Sequence, residues 1–362
     1  MEAEKDILEA VREGALSLPP LSFMPVKPNR RQINRDIDML VEATWEGKRY
    51  LFALEAKRYG SDKLVRAAAE QARAAALTTQ ANPLIVVPWL SDEQLAYLEQ
   101  REVSGVDLCG NGVVIVPGQL LIVRSGQPNR YPASRLIRRV YEGTSSLVGR
   151  VLLLRTVYDS VSEILDEMLS RGERITLPTV SKALKQMEED LVVERANGRI
   201  RLLQADKLLD RLQRDYSGVR ASDSVRGKLA ARGSATPAML LQQAAEKAKI
   251  QLVMSGESSA DVYATMGKEP IDTFFCSEVK RLHLEAIGFD VSSKFPNVEL
   301  CKTDSPLVYF DMRKEKRGNI ASPIQAYLEM AGSDKRGKEI AEQIREQILE
   351  AAAQDLKSRR RK

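Results

Sequence analysis

Histidine is almost absent from this chain: 362 residues contain one, His283. A single imidazole cannot build a two-His metal site, and the hydrolytic chemistry is read as resting on carboxylates, lysine and metal. Cysteine is nearly as scarce. Cys109, Cys276 and Cys301 lie far apart without metal-ligand spacing, which argues against structural zinc and reads as buried free thiols in a reducing compartment. No run of about 18 apolar residues and no signal-peptide pattern is present, so the expectation is a cytoplasmic protein with no membrane partner.

A large surplus of one charge is missing too. The net charge is +5, from 55 Lys and Arg against 50 Asp and Glu. Residues 1–145 hold 19 basic against 18 acidic, residues 146–216 hold 12 of each, and residues 217–362 hold 24 against 20. The terminal run from Lys357 to Lys362 alone supplies five positive charges and reads as a disordered basic arm. A case for nucleic acid must therefore come from where charges sit.

Charge is concentrated informatively in one hairpin. Residues 37–45 and 49–57 both read as strands, and Glu46-Gly47 between them is a two-residue turn signal. With the loop at 46–47, facing positions place Asp38 opposite Glu55; with the loop at 47–48, Asp38 faces Lys57. Side chains alternate along a strand, so Glu55 and Lys57 share a face and either register brings Asp38 onto it. Opposed Cβ atoms lie roughly 5 Å apart, close enough for two carboxylates to hold one divalent cation. Asp38, Glu55 and the Ala56 carbonyl would hold Mg²⁺ or Mn²⁺ with waters retained. Lys57 would orient the attacking water or stabilise charge on a scissile phosphate.

This arrangement resembles the restriction-endonuclease-like, PD-(D/E)XK, superfamily. The matching residues are Asp38, Glu55 and Lys57, with Glu9 on the first helix a weaker match to an acidic residue that some members carry. No proline precedes the Asp in Arg35-Asp36-Ile37-Asp38, and Asp36 competes for the metal role. An Ala-rich helix at 62–80, an apolar strand at 83–87 and a helix at about 91–102 follow in the order that the resemblance implies. The resemblance implies DNA cleavage, although many members of that fold bind DNA without cutting it.

The middle of the chain reads as a winged helix-turn-helix. A buried helix at 147–158 precedes an amphipathic one at about 160–170. A third begins after Thr176, with Pro178 in its first turn. Val180, Ala183, Leu184 and Met187 recur at core spacing, leaving Thr179, Ser181, Lys182, Lys185 and Gln186 on the other side. Two strands then flank Asn197-Gly198, a strong hairpin signal. Thr179, Ser181, Lys182 and Lys185 would reach bases or phosphates, with Arg195, Arg199 and Arg201 flanking the wing. The phrase Thr-Val-Ser-Lys-Ala-Leu resembles recognition helices of bacterial winged-helix regulators.

A Gly/Ser/Arg-rich stretch at 217–236 reads as a linker. Beyond it the expectation is helices at about 238–249 and 278–287, strands at 251–254, 273–276 and 306–312, and a last helix at about 337–353. The small-residue turn from Gly256 to Tyr263 and the phrase Ala-Ser-Pro-Ile-Gln-Ala-Tyr resemble the nucleotidyltransferase-like domain of type IV abortive-infection antitoxins. Gly256 with Ser258 matches the turn and Asp272 the first metal carboxylate. Phe274 stands where the second should be, which implies a degenerate scaffold that binds a partner.

Together these readings predict an α/β chain. Residues 1–144 form a restriction-endonuclease-like mixed sheet and 145–216 a winged helix-turn-helix. Residues 217–236 are a linker, 237–353 a degenerate nucleotidyltransferase-like domain, and 354–362 a basic tail. The expected function is a Mg²⁺-dependent DNA endonuclease targeted by a winged helix. The alternative is a non-catalytic transcriptional repressor or antitoxin-like regulator that uses the nuclease fold only to bind. Both kinds of protein commonly act as dimers, so the resemblance implies a homodimer, with a protein partner possible through the C-terminal domain.

Overall fold

The computed structural model describes residues 4–26, 37–131, 139–265, 271–291 and 294–359; Asp36 and residues 360–362 lie outside them. The fold is mixed α/β and divides into two compact units, residues 1–138 with 188–191, and residues 139–187 with 192–362. Among the described residues no helix is long and apolar enough to cross a membrane.

The first unit is built on an eight-stranded sheet whose strands lie side by side in chain order. Its elements are α1 (Glu4–Arg12), β1 (Ser17–Leu18), β2 (Leu21–Val26), β3 (Met39–Trp45), β4 (Lys48–Ala56), α2 (Asp62–Thr79), β5 (Asn82–Val87), α3 (Asp92–Gln100), β6 (Ser104–Asp107), β7 (Gly112–Val116) and β8 (Leu120–Arg124). The pairs β4–β5 and β5–β6 are parallel, crossed by α2 and α3; the remaining neighbours are antiparallel. Strand alternation sorts the core. Phe52, Leu54, Leu84 and Val86 join the α1 side with Ile7 and Val11. Ile85 and Val87 join the other side with Val65, Ala69, Leu95 and Leu98. With both faces covered, β5 is apolar along nearly its whole length.

The second unit begins with α4 (Ser146–Leu154), β9 (Val157–Tyr158), α5 (Val161–Ser170), α6 (Leu177–Glu189), β10 (Val193–Ala196), β11 (Arg199–Leu202) and α7 (Ala205–Arg214). The three strands make a small sheet in the order β10-β11-β9. The single helix expected over 147–158 is corrected here. It ends at Leu154, Arg155 turns extended, and Val157 and Tyr158 pair with Arg201 and Ile200. An unbroken apolar run gives no periodicity by which a strand can be told from a buried helix.

The unit continues with β12 (Asp223–Gly227), α8 (Pro237–Ala248), β13 (Leu252–Met254), α9 (Glu257–Ala260), β14 (Asp272–Cys276), β15 (Val298–Lys302), α10 (Pro306–Tyr309), β16 (Arg313–Glu315), β17 (Gly318–Ile320), α11 (Pro323–Ala331) and α12 (Lys335–Arg359). Six of these strands form a mixed sheet, β12-β15-β14-β13-β17-β16. Four expectations change. The stretch 217–236 is not only a linker, because Asp223–Gly227 pairs along β15 as the edge strand. The helix near 278–287 is two short 3₁₀ turns parted by His283 at φ 47°. The strand expected over 306–312 is a helical turn at 306–309, with Pro306 pre-set for the first helical position. The tail is helical as far as Arg359, which pairs with Asp355 one turn earlier at 2.8 Å.

Candidate active site and nucleic-acid interface

The β3–β4 hairpin adopts the register that puts Asp38 opposite Glu55. Trp45 pairs with Lys48, and the ladder runs on to Met39 opposite Leu54. The turn is Glu46 (φ 46°) and Gly47 (φ 76°), both left-handed, the geometry that matches the twist of a two-residue hairpin. Asp38 lies one residue before β3. Its N–H donates to the Leu54 carbonyl at 3.2 Å, and its Oδ2 accepts the Ala56 N–H at 2.8 Å. The carboxylate is thus held by the backbone of the strand that carries Glu55.

Glu55 is buried at 8% exposure, which a lone carboxylate rarely tolerates. Lys57 Nζ donates to Glu55 Oε1 at 2.6 Å, and the Lys57 N–H continues the parallel ladder onto Val86 at 3.0 Å. The chain therefore stays extended, and the two side chains remain on one face. Burial raises the Glu55 pKa above its usual value; the Lys57 bond opposes this, and the charges of Asp38 and Glu4 reinforce it. Burial alone would depress Lys57, but the bond it donates to Glu55 and the charges of Glu55, Glu4 and Asp38 outweigh it and hold the ammonium above its usual range. The causes differ: burial leads for Glu55, whereas the bond to Glu55 and the neighbouring carboxylate charges decide the direction for Lys57.

On the first helix it is Glu4 that approaches Lys57. Its Oε1 lies 4.0 Å from Lys57 Nζ, whereas Glu9 is exposed on another side of α1. The signal was present in the spacing. Ile7 and Val11, four apart, set the buried face of the helix, and Glu4, three before Ile7, lies at its exposed margin. Asp36, the competitor for the metal role, lies outside the described residues.

The donor set fits a hard divalent cation. Carboxylate and carbonyl oxygens suit Mg²⁺ or Mn²⁺, and the surplus negative charge on Asp38, Glu55 and Glu4 is what such an ion would offset. Among the described residues no three His, Cys, Asp or Glu side chains gather in a metal-holding group. Asp38, Glu55 and the Ala56 carbonyl would leave the remaining positions to water, which Mg²⁺ keeps readily.

In the second unit, α6 buries Val180, Ala183, Leu184 and Met187. Lys182 and Lys185 are exposed, and Thr179 and Ser181 half-exposed, as their spacing predicts. Gln186 is corrected: it is buried at 7% exposure, because it shares the helix face of Ala183. The Thr176 hydroxyl lies 2.9 Å from that of Thr179. The β10–β11 hairpin turns at Asn197 (φ 53°) and Gly198 (φ 82°). Arg195 is exposed on it. Arg199 pairs with Asp159 at 3.0 Å and Arg201 with Glu194 at 2.7 Å.

The chain matches no protein-family model, no curated protein and no solved structure. Its function must be read from these sites. In the C-terminal sheet the Ser258 hydroxyl accepts the Thr273 N–H at 3.0 Å, which ties the turn after Gly256 to β14. Phe274, two residues past Asp272, is buried at 2% exposure in the core of that sheet.

Proposed function

We propose that the chain is a divalent-metal-dependent DNA endonuclease of PD-(D/E)XK type. The eight-stranded sheet is read as its restriction-endonuclease-like core. The observation that carries this reading is the hairpin register: Asp38, Glu55 and Lys57 meet at one end of β4, and Glu55 is buried against the lysine. Asp38, Glu55 and the Ala56 carbonyl would hold Mg²⁺ or Mn²⁺. When bound, the ion would polarise the phosphate and lower the pKa of a bound water. Lys57 positions a donor for the charge that grows on the phosphate, and its bond to Glu55 fixes where that donor sits. Glu4 adds a second carboxylate 4.0 Å from Lys57 Nζ.

Targeting falls to residues 145–216, read as a winged helix-turn-helix. Lys182, Lys185, Thr179 and Ser181 on α6 would face the major groove, with Arg195, Arg199 and Arg201 along the wing. Residues 237–353 are read as a degenerate nucleotidyltransferase-like scaffold for a protein partner, and the whole as a cytoplasmic homodimer.

The second reading is a non-catalytic DNA-binding regulator. It is favoured by the exposed basic set on α6 and the β10–β11 hairpin, which needs nothing from the carboxylate site. One paired experiment separates the two: plasmid, linear and branched DNA are incubated with Mg²⁺ or Mn²⁺ and either the native chain or Lys57→Ala. Cleavage that disappears in the variant supports the endonuclease. Tight binding to a duplex site with no cleavage in either metal overturns it and supports the regulator.

A further inference from the structure

β4 ends at Ala56, and the Lys57 N–H carries the ladder one residue further onto the Val86 carbonyl. Arg58 is the next residue. Successive Cα atoms lie about 3.8 Å apart, so its side chain starts beside the proposed site. The strands β4, β5 and β6 run parallel, and in open sheets of this kind ligands lie at the carboxyl ends of the strands. The turn after Arg58 is packed onto that end: a Cβ on Gly60 would come within 2.6 Å of the Trp89 carbonyl oxygen.

Arg58 is half-buried, and its guanidinium has no hydrogen-bond or ion-pair partner among the described residues. Its Nε is buried and unpaired. A buried donor without an acceptor costs stability, and no neighbouring acceptor offsets that cost. What holds the group is Tyr59, whose ring centroid lies 4.8 Å from the guanidinium carbon. A ring face fixes the guanidinium plane and takes up none of its N–H donors. The carboxylates nearest in the ladder are engaged elsewhere: Asp38 on the Ala56 N–H, and Glu55 and Glu4 on Lys57.

Two adjacent cations thus differ in state. Lys57 is bonded to Glu55 at 2.6 Å, whereas the donors of Arg58 are uncommitted. A guanidinium presents paired N–H groups in a planar fork that matches two oxygens of a phosphate. We propose that Arg58, held by stacking on Tyr59, binds a backbone phosphate of the DNA strand next to the scissile one, leaving Lys57 to the scissile phosphate. The proposal rests on the endonuclease reading and adds to it the residue that seats the substrate backbone.

The test uses the full chain and a fluorescein-labelled duplex of mixed sequence. Anisotropy at a fixed Ca²⁺ concentration and several salt concentrations gives the affinity and its salt slope. Thermal unfolding and cleavage in Mg²⁺ are followed separately. Arg58→Ala and Arg58→Gln are expected to lower the slope of log affinity against log salt by about 1 and to weaken binding by about tenfold. Their melting temperatures are expected to stay close to native, since the side chain makes no hydrogen bond within the fold. Arg58→Lys is expected to restore the slope but not the full affinity, because an ammonium keeps the charge and loses the fork. Tyr59→Leu is expected to keep the slope and weaken binding by about threefold. An unchanged slope in Arg58→Ala and Arg58→Gln overturns the proposal, whether or not the melting temperature falls, and so does a slope that Arg58→Lys fails to restore. Absence of cleavage by the native chain sinks the endonuclease reading alone; the salt slope still decides whether Arg58 binds phosphate.

Discussion

The Asp38 carboxylate accepts the Ala56 backbone N–H at 2.8 Å, one rung beyond the point where β3 begins. A side chain thus continues the ladder that the backbone of β3 leaves off, and the same group is a proposed metal ligand. Structure and chemistry can be separated by substitution. Asp38→Asn keeps an acceptor oxygen for Ala56 and is expected to leave the melting temperature nearly unchanged. Asp38→Ala removes it and is expected to cost about 1 kcal/mol, because water can reach this exposed position. Both variants are expected to lose metal-dependent cleavage. A cleavage-competent Asp38→Asn would remove Asp38 from the metal site.

Glu55 gives a pH dependence with a definite sign. Its pKa in the folded chain is raised, mainly by burial, so the native state holds a proton that the unfolded state has released. Between the ordinary carboxylate value and the raised one, stability therefore falls as pH rises, and the loss persists above that window. Glu55→Gln is expected to flatten this slope in thermal unfolding across pH. Metal binding needs the ionised form, so Mn²⁺ affinity is expected to rise with pH over the same window. A native chain and a Glu55→Gln chain with identical stability profiles would show that Glu55 is not the group responsible.

Lys182 and Lys185 should each act through phosphates. Replacing either by Ala is expected to lower the slope of log affinity against log salt by about 1, and to weaken binding similarly on all duplexes. Fluorescence anisotropy at several salt concentrations measures this. A slope that does not change would place α6 away from DNA.

Gly227 tests the edge strand. A Cβ there would lie 2.4 and 2.6 Å from the Phe289 ring and 2.7 Å from the Asp290 carbonyl oxygen. Gly227→Ala is expected to destabilise by about 1–3 kcal/mol, since backbone and a packed ring must both shift. Denaturant unfolding reads the change. Gly218→Ala probes a positive φ (79°) with open space around the Cβ and is expected to cost only about 1 kcal/mol.

Local chemistry made both hairpins legible. Glu46-Gly47 and Asn197-Gly198 tolerate the left-handed conformations that two-residue turns require, and each turn fixes the register of everything beside it. That is why the pattern of residues 37–57 already places Asp38, Glu55 and Lys57 on one face. Elements set by distant partners were not legible. Val157 and Tyr158 become a strand only because Ile200 and Arg201 lie alongside. The edge strand at 223–227 looked like linker because its composition is polar, and its partner, β15, lies some 70 residues further on. Glu4 was missed for another reason. Its helix face was readable, but which end of the sheet that face would meet was not.

Asp355, near the end of α12, accepts both the backbone N–H and the hydroxyl of Thr156, each at 2.8 Å. Thr156 sits between α4 and β9, 199 residues upstream. The order of synthesis therefore matters. The eight-stranded sheet has all its strands once residue 124 has emerged from the ribosome. The segment from α4 to α7 that follows must wait for α12 before this joint can close. Loss of Asp355 would thus be felt 199 residues upstream, where the chain passes from α4 to β9.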